Sequence, residues 1–256
     1  MYSNFNYIHI IYILLCPVLI VGFYYLFRNS KRSTKTVFLL VCVAISAGFE
    51  FYDTFAYVAD FGWITVLYNL PLFACDLNIF ILPTVIVLHL LGRDKPVLNK
   101  YVLYFTTTGP VFTMFLPLID SGIYPWYSNE VLGTFIPHTL YIVVAVLYFK
   151  FFHVKCSPRQ PWKVGLFIET ILVVIHGINL FLYYTGLAKT ANYMFTMTVP
   201  NVPAAQWGAA LLGSGNPYIR GWLFMAVGYV LMTAMFYGIH KVFEAQKIKS
   251  LVLRFK

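Results

Sequence analysis

Charge is what this 256-residue chain has least of, and negative charge above all: Asp and Glu together number 9, and all charged types make up 11% of the sequence. Soluble domains carry about a quarter of their residues as charged side chains, so a water-soluble fold is excluded. Cysteine is scarce as well. Its four copies, Cys16, Cys42, Cys75 and Cys156, stand singly, with neither CxxC nor metal-ligand spacing. That removes a disulfide framework and a zinc site, and no metal is expected. The first ten residues hold no Lys or Arg, and no small-residue cleavage site follows the first apolar run, so a cleavable signal peptide is not expected. Leu15 is too large to precede a lipidated cysteine at Cys16. Low-complexity tracts and linkers are absent too, which leaves residues 1–256 as one domain.

What is present is apolar. Hydrophobic types reach 60%, aromatics 19%, and the mean hydropathy is +0.75. The expected class is all-α, a polytopic integral membrane protein with seven transmembrane helices at about 7–27, 37–58, 69–91, 101–119, 134–152, 164–186 and 218–240. All but Lys189 and Arg220 of the 18 basic residues fall in the loops after the first, third and fifth runs or in the tail after the seventh. By the positive-inside rule those segments are cytoplasmic, the N-terminus is outside and the C-terminus inside. The same rule accounts for the net charge of +9, and no nucleic-acid partner is expected. In a bacterium the membrane would be the cell membrane.

The third run, NLPLFACDLNIFILPTVIVLH, carries Cys75, Asp76 and Asn78 together. A carboxylate in hydrocarbon costs about 2.5 to 3.5 kcal/mol on insertion scales, so such groups face a polar cavity between helices. With the topology above, Cys75 and Asp76 lie one to two turns below the outer surface, and His138 in the fifth run lies at matching depth. Glu50 and Asp53, three apart and on one face, occupy the outer end of the second run. Arg220, Asn192 and Tyr193 approach from the same side. A second polar row, Glu169, His176 and Asn179, follows one face of the sixth run. The segment from Asn192 to Pro217, with three prolines and three glycines, is too apolar for an ordinary loop and too broken for one spanning helix. It reads as a re-entrant or interfacial lid.

A lone membrane cysteine is ordinarily a packing residue. A thiol becomes a nucleophile only beside a base or a positive field, and His138 is the base available to Cys75. A Cys–His pair is the minimum set for holding an acyl group as a thioester and passing it to a hydroxyl, with no cofactor needed. Asn78 or Asn192 would donate to the oxyanion. Asp76 would pair with Arg220 or with backbone and hydroxyl donors, and Tyr193 would support the site. Lys189 and Arg220, the two basic residues outside, suit a lipid phosphate. Glu50 and Asp53 serve equally well as a cation site or as orienting groups, and Glu169 with His176 as a proton relay or an inter-helix clasp.

LPLFACDLNIFILP in the third run, a His in the fifth, and NYMF with a proline-containing stretch before the last run resemble the YwaF-like family of bacterial integral membrane proteins. The resemblance covers most of the chain in order and spacing. A eukaryotic transmembrane branch of that group acts on lysophospholipids, ether lipids especially, as an acyltransferase using a membrane Cys and His. It implies Cys75 and His138 as the carriers of that chemistry. Phe73 departs from the pattern, since bacterial members often have a His two residues before the Cys; this leaves His138 as the sole base. The expected activity is therefore acyl transfer between membrane phospholipids or lysophospholipids at the outer, non-cytoplasmic leaflet. The alternatives are a transporter or ligand-binding receptor using Glu50, Asp53, Glu169 and His176, and an acyltransferase whose acceptor is a lipoprotein or glycolipid.

Overall fold

Long apolar runs with few interruptions become long helices, because a helix is the way a chain satisfies its backbone hydrogen bonds inside lipid. The computed structural model describes residues 7–56, 58–115, 125–157, 159–199, 203–211 and 216–254. Its helices, in order, are α1 (Tyr7–Phe27), α2 (Arg32–Phe55), α3 (Val58–Phe61), α4 (Asn78–Leu90), α5 (Pro96–Tyr101), α6 (Thr108–Phe115), α7 (Asn129–Phe152), α8 (Trp162–Thr185), α9 (Pro203–Ala210) and α10 (Pro217–Arg254). Five of them, α1, α2, α7, α8 and α10, are long and apolar enough to cross a membrane. Among the described residues there is no strand. The chain is thus an all-helical, multi-pass membrane protein, divided into two compact units, Met1–Cys156 and Ser157–Lys256.

Two of the seven expected runs are not single long helices. The third has only 13 helical residues, Asn78–Leu90, preceded by a 3-10 turn at Trp63–Tyr68 and an irregular stretch through Pro71. The proline and the Cys75–Asp76 turn interrupt the regular backbone there. The fourth is broken into α5, a π-helical turn at Val102–Thr106 and α6, as Gly109 and Pro110 foreshadow. Its end, from residue 116, lies outside the described residues.

In the first unit α7 is the central post. Of its most apolar stretch 72% is buried, against 6% for α1. Ser128 caps its start by accepting from Val131 N at 3.3 Å, and His153 ends it in the left-handed region with φ 51°. Tyr141, Val144, Leu147 and Tyr148 of α7 interlock with Leu39, Cys42 and Val43 of α2 and with Leu82, Val85 and Ile86 of α4. Cys42 is a core packing residue, as a lone membrane cysteine ordinarily is. The outward faces of α1 and α2 keep Ile11, Leu14, Val18, Val37 and Val41 exposed, as lipid contact requires.

In the second unit α8 ends on Gly186, whose φ of 75° lets Ala188 N bond back to Leu182 O at 3.2 Å. The stretch expected to be a lid folds into a 3-10 turn at Tyr193–Phe195 and the short α9, and no spanning helix forms among its described residues. Residues 200–202 and 212–215 of it lie outside them.

Candidate functional site

The polar residues of the third run sit on a helical turn that opens α4. Leu77 N bonds to Phe73 O at 3.1 Å, which starts the turn at Phe73. Asp76 then occupies the third helical position and reaches back, its Oδ2 accepting from Phe73 N at 3.0 Å, as an acidic residue does in a capping box. Its other oxygen, Oδ1, accepts from Cys75 Sγ at 3.1 Å. Adjacent helical side chains point about 100° apart. This turn nonetheless brings the Asp76 carboxylate onto the thiol, a contact that spacing alone did not call for. The backbone donor expected for Asp76 is present in Phe73.

Neighbouring elements fix the turn from three directions. Tyr101 OH donates to Ala74 O at 3.2 Å from the end of α5. Thr106, the last residue of the π-helical turn, donates to Asn78 Oδ1 at 2.6 Å, which leaves the amide NH2 of the buried Asn78 as its donor. Thr54 Oγ1 donates to Asn69 O at 2.7 Å from the end of α2. Beside them Glu50 accepts from the fully buried Tyr141 OH at 3.1 Å, and Tyr141 lies within electrostatic reach of Cys75, Asp76 and Glu50. The side chain of Asp53 lies outside the described residues.

His138 stands one helical turn before Tyr141 on α7, the two ring centroids 6.2 Å apart. Its Nδ1 faces Thr134 O at 2.5 Å and so carries the proton, because a carbonyl can only accept. Nε2 is then the lone-pair nitrogen, and it is buried without a hydrogen-bond partner. No hydrogen bond joins Cys75 to His138; the thiol's partner is Asp76. The first unit therefore holds two hydrogen-bonded pairs, Cys75 with Asp76 and Tyr141 with Glu50, within electrostatic reach of one another, with Asn78 bonded to Thr106 and His138 one helical turn from Tyr141. Tyr141, Tyr101 and Thr106 were not singled out from sequence. Tyr141 and Glu50 are 91 residues apart, and one tyrosine among 20 carries no signal of its own.

The remaining expected residues lie in the second unit. Asn192 uses its whole carboxamide in its own loop: Nδ2 donates to Thr198 O and Oγ1, both at 2.7 Å, and Oδ1 accepts from Met197 N and Thr198 N. Both N–H groups of the amide are thereby engaged within the loop. Asn179 grips the same loop, donating to Tyr193 O at 2.9 Å and Thr196 Oγ1 at 2.8 Å and accepting from Tyr193 N at 3.1 Å. Tyr193 is thereby a buried anchor of the loop. Glu169 Oε1, His176 Nδ1 and Arg220 Nε are buried without hydrogen-bond partners, and His176 lies 6.3 Å from the Trp222 ring. Lys189 is exposed. Among the described residues no group of His, Cys, Asp and Glu is placed to hold a metal.

A family model, that of the TMEM164 family, matches residues 1–241 of the chain. No curated protein and no solved structure matches it.

Proposed function

The chain belongs to the TMEM164 family, a family of transmembrane proteins, and on that premise we propose that it is a membrane acyltransferase that moves a fatty acyl chain between phospholipids and lysophospholipids through a thioester on Cys75. The observation that carries this reading is the thiol held 3.1 Å from the Asp76 carboxylate on the opening turn of α4. A structural cysteine needs no such acceptor.

In the first half-reaction the thiol proton passes to Asp76 Oδ1 and the sulfur attacks the ester carbonyl of the donor lipid. The opening turn leaves the N–H groups of Ala74 and Cys75 without intrahelical acceptors, and these, with the Asn78 amide, are available to the oxyanion. Collapse breaks the ester C–O bond; the departing alkoxide takes the proton and leaves as the lysolipid, with the acyl group on sulfur. In the second half His138 Nε2 removes the proton from the acceptor hydroxyl, the oxygen attacks the thioester, the C–S bond breaks, and the proton held by His138 returns to the departing sulfur. In this reading the seven-run topology holds, the site faces the non-cytoplasmic leaflet, the Asn192 to Pro217 segment is a lid, and Arg220 and Lys189 meet lipid phosphate. Glu50 and Tyr141 orient the turn.

Intact-mass analysis after incubation with phospholipid is expected to reveal a hydroxylamine-labile acyl adduct, lost in Cys75→Ser and kept when Cys16, Cys42 and Cys156 are replaced. Full transacylation by a Cys75→Ala protein would end the proposal. A transport reading draws support from the unpartnered Glu169 and His176 atoms on α8. Solute flux in liposomes that survives Cys75→Ala would favour it.

A further inference from the structure

Fourteen residues beyond Cys75, about 21 Å by helical rise, His89 in the last turn of α4 stands beside a second and quite different concavity. It encloses about 420 Å³ within the first unit and is lined by Arg32, Lys35, His89, Phe151 and Phe152. That volume falls within the range of small-ligand sites. Its charge is of one sign. Arg32 and Lys35, three apart on the first turn of α2, share a face. Arg32 lies over the Phe152 ring at 5.7 Å and Lys35 over the Phe151 ring at 5.3 Å. The C-terminal end of α7 thus holds both cations in place by cation–π contact.

Neither cation has a carboxylate partner among the described residues. Arg32 Nη2 reaches only the carbonyl of His89, at 3.5 Å, and Lys35 Nζ donates to Arg28 O at 2.7 Å. The acid nearby, Asp94, is engaged by His89 Nδ1 at 3.0 Å, which fixes the imidazole and leaves Nε2 as its other polar atom. A planar guanidinium with an ammonium one turn away, over aromatic walls and at the ends of apolar helices, matches the charge and geometry of a phosphate group.

We infer that this concavity is a phosphate-binding site, separate from the Cys75 turn, that takes the phosphate of an anionic lipid head or of a soluble phosphate ester. It does not depend on the acyl-transfer reading.

The test uses the full-length protein in detergent, titrated with dioctanoyl phosphatidic acid, dioctanoyl phosphatidylcholine, inorganic phosphate and ATP, and read by thermal unfolding and native mass spectrometry. Saturable stabilisation by phosphatidic acid, or by phosphate or ATP, is expected. It should weaken about tenfold or more in Arg32→Gln/Lys35→Gln and stay within about twofold in Lys31→Gln/Lys150→Gln, which removes equal charge outside the concavity. Competition by inorganic phosphate or ATP assigns a soluble source; binding of phosphatidic acid alone assigns a lipid head. Both glutamine pairs alter exposed or half-exposed positions, and the elution profile of each variant verifies folding. Equal loss in the two pairs, or no saturable binding by any probe, overturns the proposal.

Discussion

At the scale of single residues, the opening turn of α4 makes Asp76 the group whose change separates chemistry from structure. Asp76→Asn keeps an oxygen for Phe73 N and loses the base. Thioester formation is expected to fall on the order of 100-fold with little change in thermal unfolding. His138→Gln is expected to let the thioester accumulate and slow its transfer, a split that single-turnover mass spectrometry reads directly. Tyr141→Phe removes a hydrogen bond to a carboxylate and is expected to cost about 1 to 2 kcal/mol of stability. Cys156 lies outside the expected membrane runs. In the connection after α7, burial pushes its thiol up to about 11, with Lys100 pulling weakly the other way. The raised value keeps the proton on sulfur, so thiolate and alkylation increase with pH. Iodoacetamide is expected to leave Cys156 unmodified at about pH 8, where an ordinary thiol near 8.5 reacts, and to label it only toward pH 11.

At the scale of elements, how far the sequence could be read depended on how uniform each run is. The first run coincides with α1, and α7, α8 and α10 begin within a few residues of their expected starts, because some twenty apolar residues in a row admit one solution in lipid. The third and fourth runs have the same average hydropathy signature. Pro71, the Asp76 cap and the glycine–proline pair at Gly109 and Pro110 break their backbones, and averaging over a window hides that. The candidate site was legible to the same degree: adjacency in sequence exposed Cys75, Asp76 and Asn78, whereas Tyr141, Tyr101 and Thr106 reach the turn across long separations that leave no local pattern. Asn192 and Asn179 look alike in sequence as intramembrane amides. Both are spent on holding one loop, in which Met194 and Phe195 take φ near 50° and 55°. Asn179→Ala, which removes the three hydrogen bonds to Tyr193 N, Tyr193 O and Thr196 Oγ1, is expected to destabilise the second unit by about 3 kcal/mol. At Gly221 a Cβ would stand 2.8 Å from Thr196 O, so Gly221→Ala is expected to displace the same loop and lower the unfolding temperature. Both are read by thermal unfolding in detergent.

At the scale of the whole molecule, the open matter is whether the broken third run crosses the membrane as a long helix would. Its two ends answer to the two ends of α2. Thr54, one residue from the end of α2, bonds to Asn69 O, and Arg32, the first residue of α2, reaches His89 O. Between those contacts α2 extends for about 33 Å at 1.5 Å per residue, more than the roughly 30 Å of a hydrocarbon core. Residues 69–89 cover the same depth in the opposite direction with less helix, because the part before Asn78 is extended or turned and advances further per residue. The Arg93 to Lys100 loop is then expected on the same side of the membrane as the Arg28 to Lys35 loop. Single cysteines at Ser30 and Arg93, in a background lacking the native four, are expected to react with a membrane-impermeant maleimide from the same side of sealed vesicles. A cysteine at Trp126 is expected to react from the other. If Arg93→Cys instead labels together with Trp126→Cys, the third run turns back within the membrane, and among the described residues the five long helices are the ones that cross.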